Sequence, residues 1–139
     1  MNWSEADYAA YLARQSGQPK RLPRPVLLTA YQSGPRYRSK TEARFAQEVL
    51  APALHDGTLL AWQYEPIRLA ITPTSTYTPD FLALEADGRL CTFYEIKGGW
   101  IRDRALDKLK QAAVRYHWWV FMLAQWKDGQ WTYKRMPAA

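Results

Sequence analysis

Residues 77–99 read YTPDFLALEADGRLCTFYEIKGG, and this stretch decides the fold. Two runs of apolar, branched and aromatic residues flank Asp87-Gly88, a dipeptide that favours a two-residue hairpin because a type I′ turn needs positive φ at both central positions. In that hairpin, residues whose numbers sum to 175 face each other. Asp80 then lies opposite Glu95 with Cβ atoms about 5 Å apart, and Lys97 shares their face because side chains alternate along a strand.

Two carboxylates in otherwise apolar strands predict a site for a cation. Like charges repel, and burying them is costly unless an ion of opposite charge lies between them. Hard oxygen ligands suit Mg²⁺ or Mn²⁺ and leave positions for water and a substrate phosphate. The Lys97 ammonium would hold an attacking water or neutralise charge that develops on the phosphate. The alternative interpretation is structural, with Asp80 a turn residue after Pro79 and Glu95 and Lys97 an exposed edge pair.

Helical and strand patterns on both sides of this hairpin predict the other elements. Helical spacing predicts helices over residues 5–14, 39–55 and 103–116, the first capped by Ser4 and Asp7 and the second bent or broken near Pro52. Strands are predicted over residues 59–64, 67–72, 77–84, 90–97, 118–124 and 131–133, with an Asp128-Gly129 turn before the last. This order predicts a single-domain α/β fold, a mixed central β-sheet flanked by helices that cover it.

Composition narrows the class of protein and of partner. The 139 residues suffice for one domain, and a net charge of +6 favours anionic partners, nucleic acid first. Residues 8–41 hold seven Lys or Arg and no acidic residue, so residues 1–38 are predicted to be a basic N-terminal helix and arm, either a phosphate contact or a solvated linker. One cysteine, no signal-peptide pattern and no apolar stretch of about 18 residues predict a cytoplasmic protein with no membrane contact.

The signature residues resemble a known nuclease family. Pro79-Asp80, followed by Glu95-Ile96-Lys97, is similar to the PD-(D/E)XK nuclease signature, and Glu42 in SKTEARF resembles the extra acidic residue that many members carry. The local sequences most resemble small phage and prophage endonucleases, and more distantly the transposon end-cleaving subunit TnsA and phage Holliday-junction endonucleases. The resemblance implies a restriction-endonuclease-like αβββαβ core over residues 39–139, preceded by the N-terminal arm.

The resemblance also implies a role for each matched residue. Asp80, Glu95 and the backbone carbonyl of Ile96 would ligate Mg²⁺ or Mn²⁺, Lys97 would orient the nucleophilic water, and Glu42 would bind a second metal or position a water. Some members carry a Gln and a Tyr one helical turn apart after the signature. Gln111 and Tyr116 stand five residues apart in this chain and do not match that pair.

Basic residues and a diglycine are candidates for contact with DNA. Gly98-Gly99 lacks the spacing of a nucleotide-binding loop, so we expect no organic cofactor and interpret it as a close approach to DNA or a tight exit from the strand. For Trp100, packing is favoured over contact with a nucleotide, and for the two helix lysines a solvated face explains the charge as well as phosphate contact does. The candidate nucleic-acid-binding residues are Arg36, Arg38, Lys40, Gly98, Lys108 and Lys110.

Together these features predict a metal-dependent endonuclease that hydrolyses DNA phosphodiester bonds, encoded by a phage or prophage and specific for branched or junction DNA. One active site cuts one strand, so a two-fold homodimer is a further hypothesis. Two alternatives stay open. One is a nuclease-fold DNA-binding or assembly protein with weak or no activity, and the other is an RNA-directed nuclease on the same scaffold.

Overall fold

A computed structural model of the chain describes residues 4–7, 9–10, 36–86 and 91–137. Residues 5–7 and 9–10 are helical. The Ser4 hydroxyl donates to the Asp7 carboxylate (2.6 Å) and accepts from the Asp7 backbone N–H (3.1 Å), which confirms the predicted cap. The rest of the predicted helix over residues 5–14 and most of the basic arm lie outside the described residues.

A continuous helical segment follows, composed of α1 (Lys40–Phe45), a π-helical turn (Ala46–Leu50) and α2 (Ala51–His55). The irregularity predicted near Pro52 is this widened turn, in which the Ala51 N–H donates to the Ala46 carbonyl. Because Pro52 has no N–H to give to the preceding turn, the wider turn lets the helix run through it and end at His55.

Seven strands and one more helix complete the described fold. They are β1 (Leu59–Tyr64), β2 (Leu69–Thr72), β3 (Ser75–Tyr77), β4 (Phe81–Glu85), β5 (Cys91–Gly98), α3 (Asp107–Arg115), β6 (Val120–Lys127) and β7 (Gln130–Met136). Five strands form one mixed sheet in the order β1-β4-β5-β6-β7, in which β5 and β6 run parallel and the other neighbours antiparallel. The predicted fold class is confirmed, and the main sheet follows the predicted αβββαβ order.

The hairpin register predicted from Asp87-Gly88 is confirmed over all of its described pairs. Phe81 pairs with Tyr94 and Leu84 with Cys91, so the paired residue numbers sum to 175. The turn itself, residues 87–90, lies outside the described residues. The Asp128-Gly129 turn between β6 and β7 is also confirmed, with φ of 53° and 75° at its two residues.

Several predicted elements differ from the observed ones in their bounds: the helix predicted over residues 103–116 spans Asp107–Arg115, and the strands predicted over residues 118–124 and 131–133 span Val120–Lys127 and Gln130–Met136. Two further strands differ in pairing or continuity. The strand predicted over residues 67–72 begins at Leu69, and it pairs with β3 in a separate two-stranded sheet. The strand predicted over residues 77–84 is divided into β3 and β4. The division falls at the fully buried Pro79, which has no N–H for a ladder hydrogen bond.

The helices cover opposite faces of the five-stranded sheet. Alternation along β5 directs Phe93 to one face and Ile96 to the other. The face under α3 and the β2–β3 hairpin includes Phe93, Leu109, Ala112 and Phe121. The face under the long helical segment includes Phe45, Leu50, Phe81 and Ile96. Within the part of the chain that the structure describes, no helix is both long and apolar enough to cross a bilayer.

Candidate active site

Asp80 and Glu95 meet where β4 begins beside the middle of the sheet. Asp80 directly precedes β4, and Glu95 directly follows Tyr94, the partner of Phe81, so the confirmed register brings the two carboxylates together at its next step. Glu95 is only 8% exposed. Because β5 is the central strand, the alternative interpretation of an exposed edge pair is wrong.

The Asp80 carboxylate takes the place of a backbone carbonyl in the sheet. The Asp80 backbone N–H donates to the Tyr94 carbonyl (3.0 Å), and the Asp80 carboxylate accepts from the Ile96 N–H (2.7 Å). The chain has turned away at Pro79, so the side chain satisfies an N–H that a longer strand would have paired. Burial, and then the charge of Glu95, raise the pKa of Asp80 to about 8, although the Ile96 hydrogen bond and Lys97 act in the opposite direction.

Glu95 is held at both oxygens. Its Oε2 accepts from the Tyr77 hydroxyl (2.6 Å), and its Oε1 lies 3.1 Å from the Lys97 Nζ. Burial, and then the adjacent carboxylate, hold the pKa of Tyr77 far above its ordinary value, so the phenol stays a proton donor. The sequence analysis did not find Tyr77, although it opens the YTPDF stretch. Its role depends on the β2–β3 hairpin lying over the site, which no local pattern indicates.

Glu42 lies on α1, the helix of the opposite sheet face, and is buried. Its Oε2 accepts from the Tyr64 hydroxyl (2.7 Å) and from the Arg38 N–H (3.1 Å). Its charge still contributes to raising the pKa of Asp80. Nowhere in the described ranges do three His, Cys, Asp or Glu side chains gather closely enough to hold a metal ion. The structure thus unites Asp80, Glu95 and Lys97, whereas the Glu42 carboxylate accepts hydrogen bonds from Tyr64 and Arg38 and makes none with these three residues among the contacts described.

The donor chemistry of the carboxylate pair fits a hard divalent cation. Both groups offer carboxylate oxygens, the ligands that Mg²⁺ and Mn²⁺ prefer, and Mg²⁺ is commonly bound by one or two carboxylates with water and substrate phosphate completing its shell. Burial, and then the charge of Glu95, raise the pKa of Asp80, so the charged form of Asp80 is disfavoured despite the nearby Lys97. A cation between Asp80 and Glu95 would supply the missing compensation.

The candidate DNA contacts fall into separate groups. Arg36 and Lys40 are exposed at the start of the α1 face, whereas the nearby Arg38 guanidinium pairs with the Glu65 carboxylate at 2.9 Å. Lys108 and Lys110 are exposed on α3, at the opposite face of the sheet. The structure therefore does not gather these residues into one surface.

Gly98 allows close packing within the protein, and Gly99 allows a turn of the backbone. A Cβ at Gly98 would lie 2.9 Å from the Thr41 Oγ1, so the absent side chain lets α1 approach β5. Gly99 adopts φ of 61°, in the left-handed region that favours glycine. Trp100, which follows, is 82% exposed, so the prediction that it packs in the core is wrong.

Comparisons with known proteins give one similar structure. No protein-family model matches the chain, and no curated protein sequence matches it. Among solved structures, the chain is similar to Hjc from Archaeoglobus fulgidus, a Holliday junction resolvase from an archaeal hyperthermophile. The sequence identity is 20% and the TM-score 0.41, with 66% of this chain and 73% of that chain covered.

Proposed function

We propose that this protein is a metal-dependent endonuclease that hydrolyses phosphodiester bonds in DNA. One observation carries the proposal: the carboxylate of buried Glu95 on β5 and that of half-buried Asp80, directly before β4, adjoin the Lys97 ammonium, whose Nζ lies 3.1 Å from Glu95. A carboxylate pair suits a hard cation, and a lysine beside it suits a reaction in which negative charge increases on a phosphate.

Each residue of the site has a role in this proposal. Asp80, Glu95 and the Ile96 carbonyl would hold Mg²⁺ or Mn²⁺, and such an ion supplies Lewis-acid stabilisation of charge on the scissile phosphate. Tyr77 keeps Glu95 oriented by donating to its Oε2. The three N–H donors of Lys97 can hold a water in line with the phosphorus while the ammonium offsets the phosphate charge.

Glu42 and the surface cations have supporting roles. Glu42, oriented by Tyr64, would position a water or a second metal ion. Arg36 and Lys40 would contact phosphates near α1, and Lys108 and Lys110 would do so from α3, with the +6 net charge favouring DNA as the partner. Arg38 and Gly98 have intramolecular partners, so any contact they make with DNA would be additional to these.

The proposal extends to the assembly, the preferred substrate, the origin and the location of the protein. A homodimer would place two sites on the two strands of a branched substrate. Specificity for junctions, phage or prophage origin and a cytoplasmic location are part of the same proposal. A substrate panel of linear duplex, nicked, flap and four-way junction DNA tests the specificity for junctions directly.

The decisive experiment measures nicking of plasmid and cleavage of the branched panel with Mg²⁺, with Mn²⁺ and with chelator. We expect wild type to cut only with a metal. Asp80→Ala and Lys97→Ala are each expected to lower the rate by about 100-fold to 10,000-fold, the usual contribution of a positioned proton-transfer or charge-stabilising group. Lys134→Ala, which removes an exposed lysine of β7, is the matched control and should cut like wild type.

Three outcomes would contradict the proposal. Cleavage that persists in chelator, or that survives both site substitutions, excludes this mechanism. Binding of DNA with no cleavage under any metal favours the alternative of an inactive nuclease-fold binding protein. Faster cleavage of RNA than of a DNA of matched sequence favours an RNA-directed nuclease.

A further inference from the structure

Trp100 is a large apolar side chain that is exposed next to the candidate active site. Of its surface, 82% faces solvent, the largest value among the exposed large apolar residues in the described ranges. It stands three residues after Lys97, in the segment that leaves β5 at the site. A tryptophan this exposed beside a candidate active site offers a substrate a broad apolar ring for packing.

The backbone beside Trp100 is fixed in place. The Gly99 N–H donates to the Trp126 carbonyl (2.9 Å), and the Gly99 carbonyl accepts from the Gln125 side-chain amide (2.5 Å). The left-handed φ of Gly99 sets the exit direction of the chain. The exposed ring is therefore carried by a residue whose neighbour is anchored to β6, and binding would order little additional backbone.

The position of Trp100 beside the candidate active site favours DNA as the partner of this ring, because the proposed function places the substrate at Lys97. Arg102 and Arg104 are exposed in the same segment, together with Asp103 and Asp107, and Lys97 belongs to the candidate active site. An aromatic ring among cations is the arrangement with which proteins hold single-stranded nucleic acid, the ring stacking on a base while the cations contact phosphates.

We propose that Trp100 stacks on an unpaired base of the substrate, within a few nucleotides of the phosphate that is cut. This inference rests on the proposed function and adds to it the feature of DNA that is recognised. Three residues of extended chain span at most about 10 Å between the Lys97 and Trp100 α-carbons. That span corresponds to about three nucleotides of a strand, at about 3.4 Å per nucleotide. A duplex base is already stacked and paired, so a gap, flap or branch point supplies the base.

The test measures binding in chelator, where no cleavage is expected, to two DNAs of the same sequence. One is a continuous duplex, and the other carries a short single-stranded gap with 2-aminopurine, whose fluorescence reports stacking. We expect Trp100→Ala to weaken binding of the gapped DNA by about 5-fold to 150-fold, the range for loss of one base-aromatic stack. Binding of the duplex should change by less than about 3-fold, and 2-aminopurine quenching should be lost.

Trp118→Ala is the matched control. Trp118 is also exposed, at 62%, but it precedes β6, and because β5 and β6 are parallel it lies at the far end of the sheet from Lys97. The proposal is overturned if Trp100→Ala binds gapped DNA like wild type, if it weakens duplex binding equally, or if Trp118→Ala has the same effect. It is also overturned if Trp100→Ala abolishes self-association in sedimentation while binding is unchanged, because the ring then serves a second copy of the chain.

The readout separates this proposal from the proposed nuclease function. If wild type fails to cut any DNA with any metal but Trp100-dependent binding of the gap persists, the nuclease proposal fails and the stacking proposal stands. If metal-dependent cutting occurs and Trp100→Ala cuts and binds gapped DNA normally, the nuclease proposal stands and the stacking proposal fails.

Discussion

Asp80→Asn should make the metal-free protein more stable, and the gain should increase with pH. Burial and Glu95 raise the pKa of Asp80 from an ordinary value of 3.8 to about 8. Between these two values the folded state keeps a proton that the unfolded chain releases, so the folded wild type loses stability as pH rises. Asparagine cannot ionise, and its side-chain oxygen can still accept from the Ile96 N–H.

The size of the gain follows from the pKa difference. Between pH 3.8 and pH 7 the raised pKa of Asp80 lowers the free energy of unfolding by about 4 kcal/mol at most, at about 1.4 kcal/mol per pH unit. Relaxation of the site and residual water lower this value, so we expect Asp80→Asn to be more stable than wild type by about 1 to 3 kcal/mol at pH 7. Near pH 4 the two proteins should be equal.

Urea unfolding in chelator at about pH 4, 6 and 8 measures this difference. The exposed Asp103 provides the control, since Asp103→Asn should change stability by less than about 0.5 kcal/mol at every pH. The reasoning is refuted if Asp80→Asn is less stable than wild type at pH 7, or if the difference does not change with pH. Added Mg²⁺ should stabilise wild type and leave Asp80→Asn unchanged, because a ligand stabilises the state that binds it.

Three further predictions concern the site and its surroundings. Tyr77→Phe removes a hydroxyl donor from buried Glu95 and should lower stability by about 1.5 to 3 kcal/mol, with a weaker apparent affinity for Mg²⁺ in the cleavage assay. Gly98→Ala places a methyl group 2.9 Å from the Thr41 Oγ1, so thermal unfolding should detect a loss of about 1 to 3 kcal/mol that Thr41→Ala restores. Lys40→Ala should lower the slope of log affinity against log salt by about 0.9 in DNA titrations, if this exposed lysine contacts one phosphate.

Each of these predictions has a contradicting outcome. A Tyr77→Phe protein with wild-type stability and wild-type metal dependence would show that the hydroxyl does not support the site. A Gly98→Ala loss that is additive with Thr41→Ala would show that the two residues do not interact. An unchanged salt slope for Lys40→Ala would place the DNA path elsewhere.

The parts of the fold that depend on neighbours in sequence were predictable. The Asp87-Gly88 dipeptide predicted the register observed between β4 and β5, and through it the closeness of Asp80 to Glu95. The Ser4 cap and the Asp128-Gly129 turn rest on the same kind of local chemistry, in which a side chain or a positive φ acts within three residues.

The parts that depend on distant contacts were not predictable. Tyr77 reaches Glu95 because the β2–β3 hairpin leaves the main sheet and covers one face, and Tyr64 reaches Glu42 across 22 positions of the chain. Alternating apolar residues predict a strand without saying which sheet it joins. The exposure of Trp100 likewise depends on what the surrounding segments leave uncovered.

The hydrogen bond from the Ile96 N–H to the Asp80 side chain restricts what evolution can place at position 80. A glutamate would keep the charge, but its extra methylene would move the carboxylate out of the position that the backbone N–H requires. An asparagine would keep the hydrogen bond and lose the charge. Loss of the proposed activity through a change at this position is therefore compatible with an intact fold, so a descendant that only binds DNA should carry asparagine at position 80 more readily than glutamate.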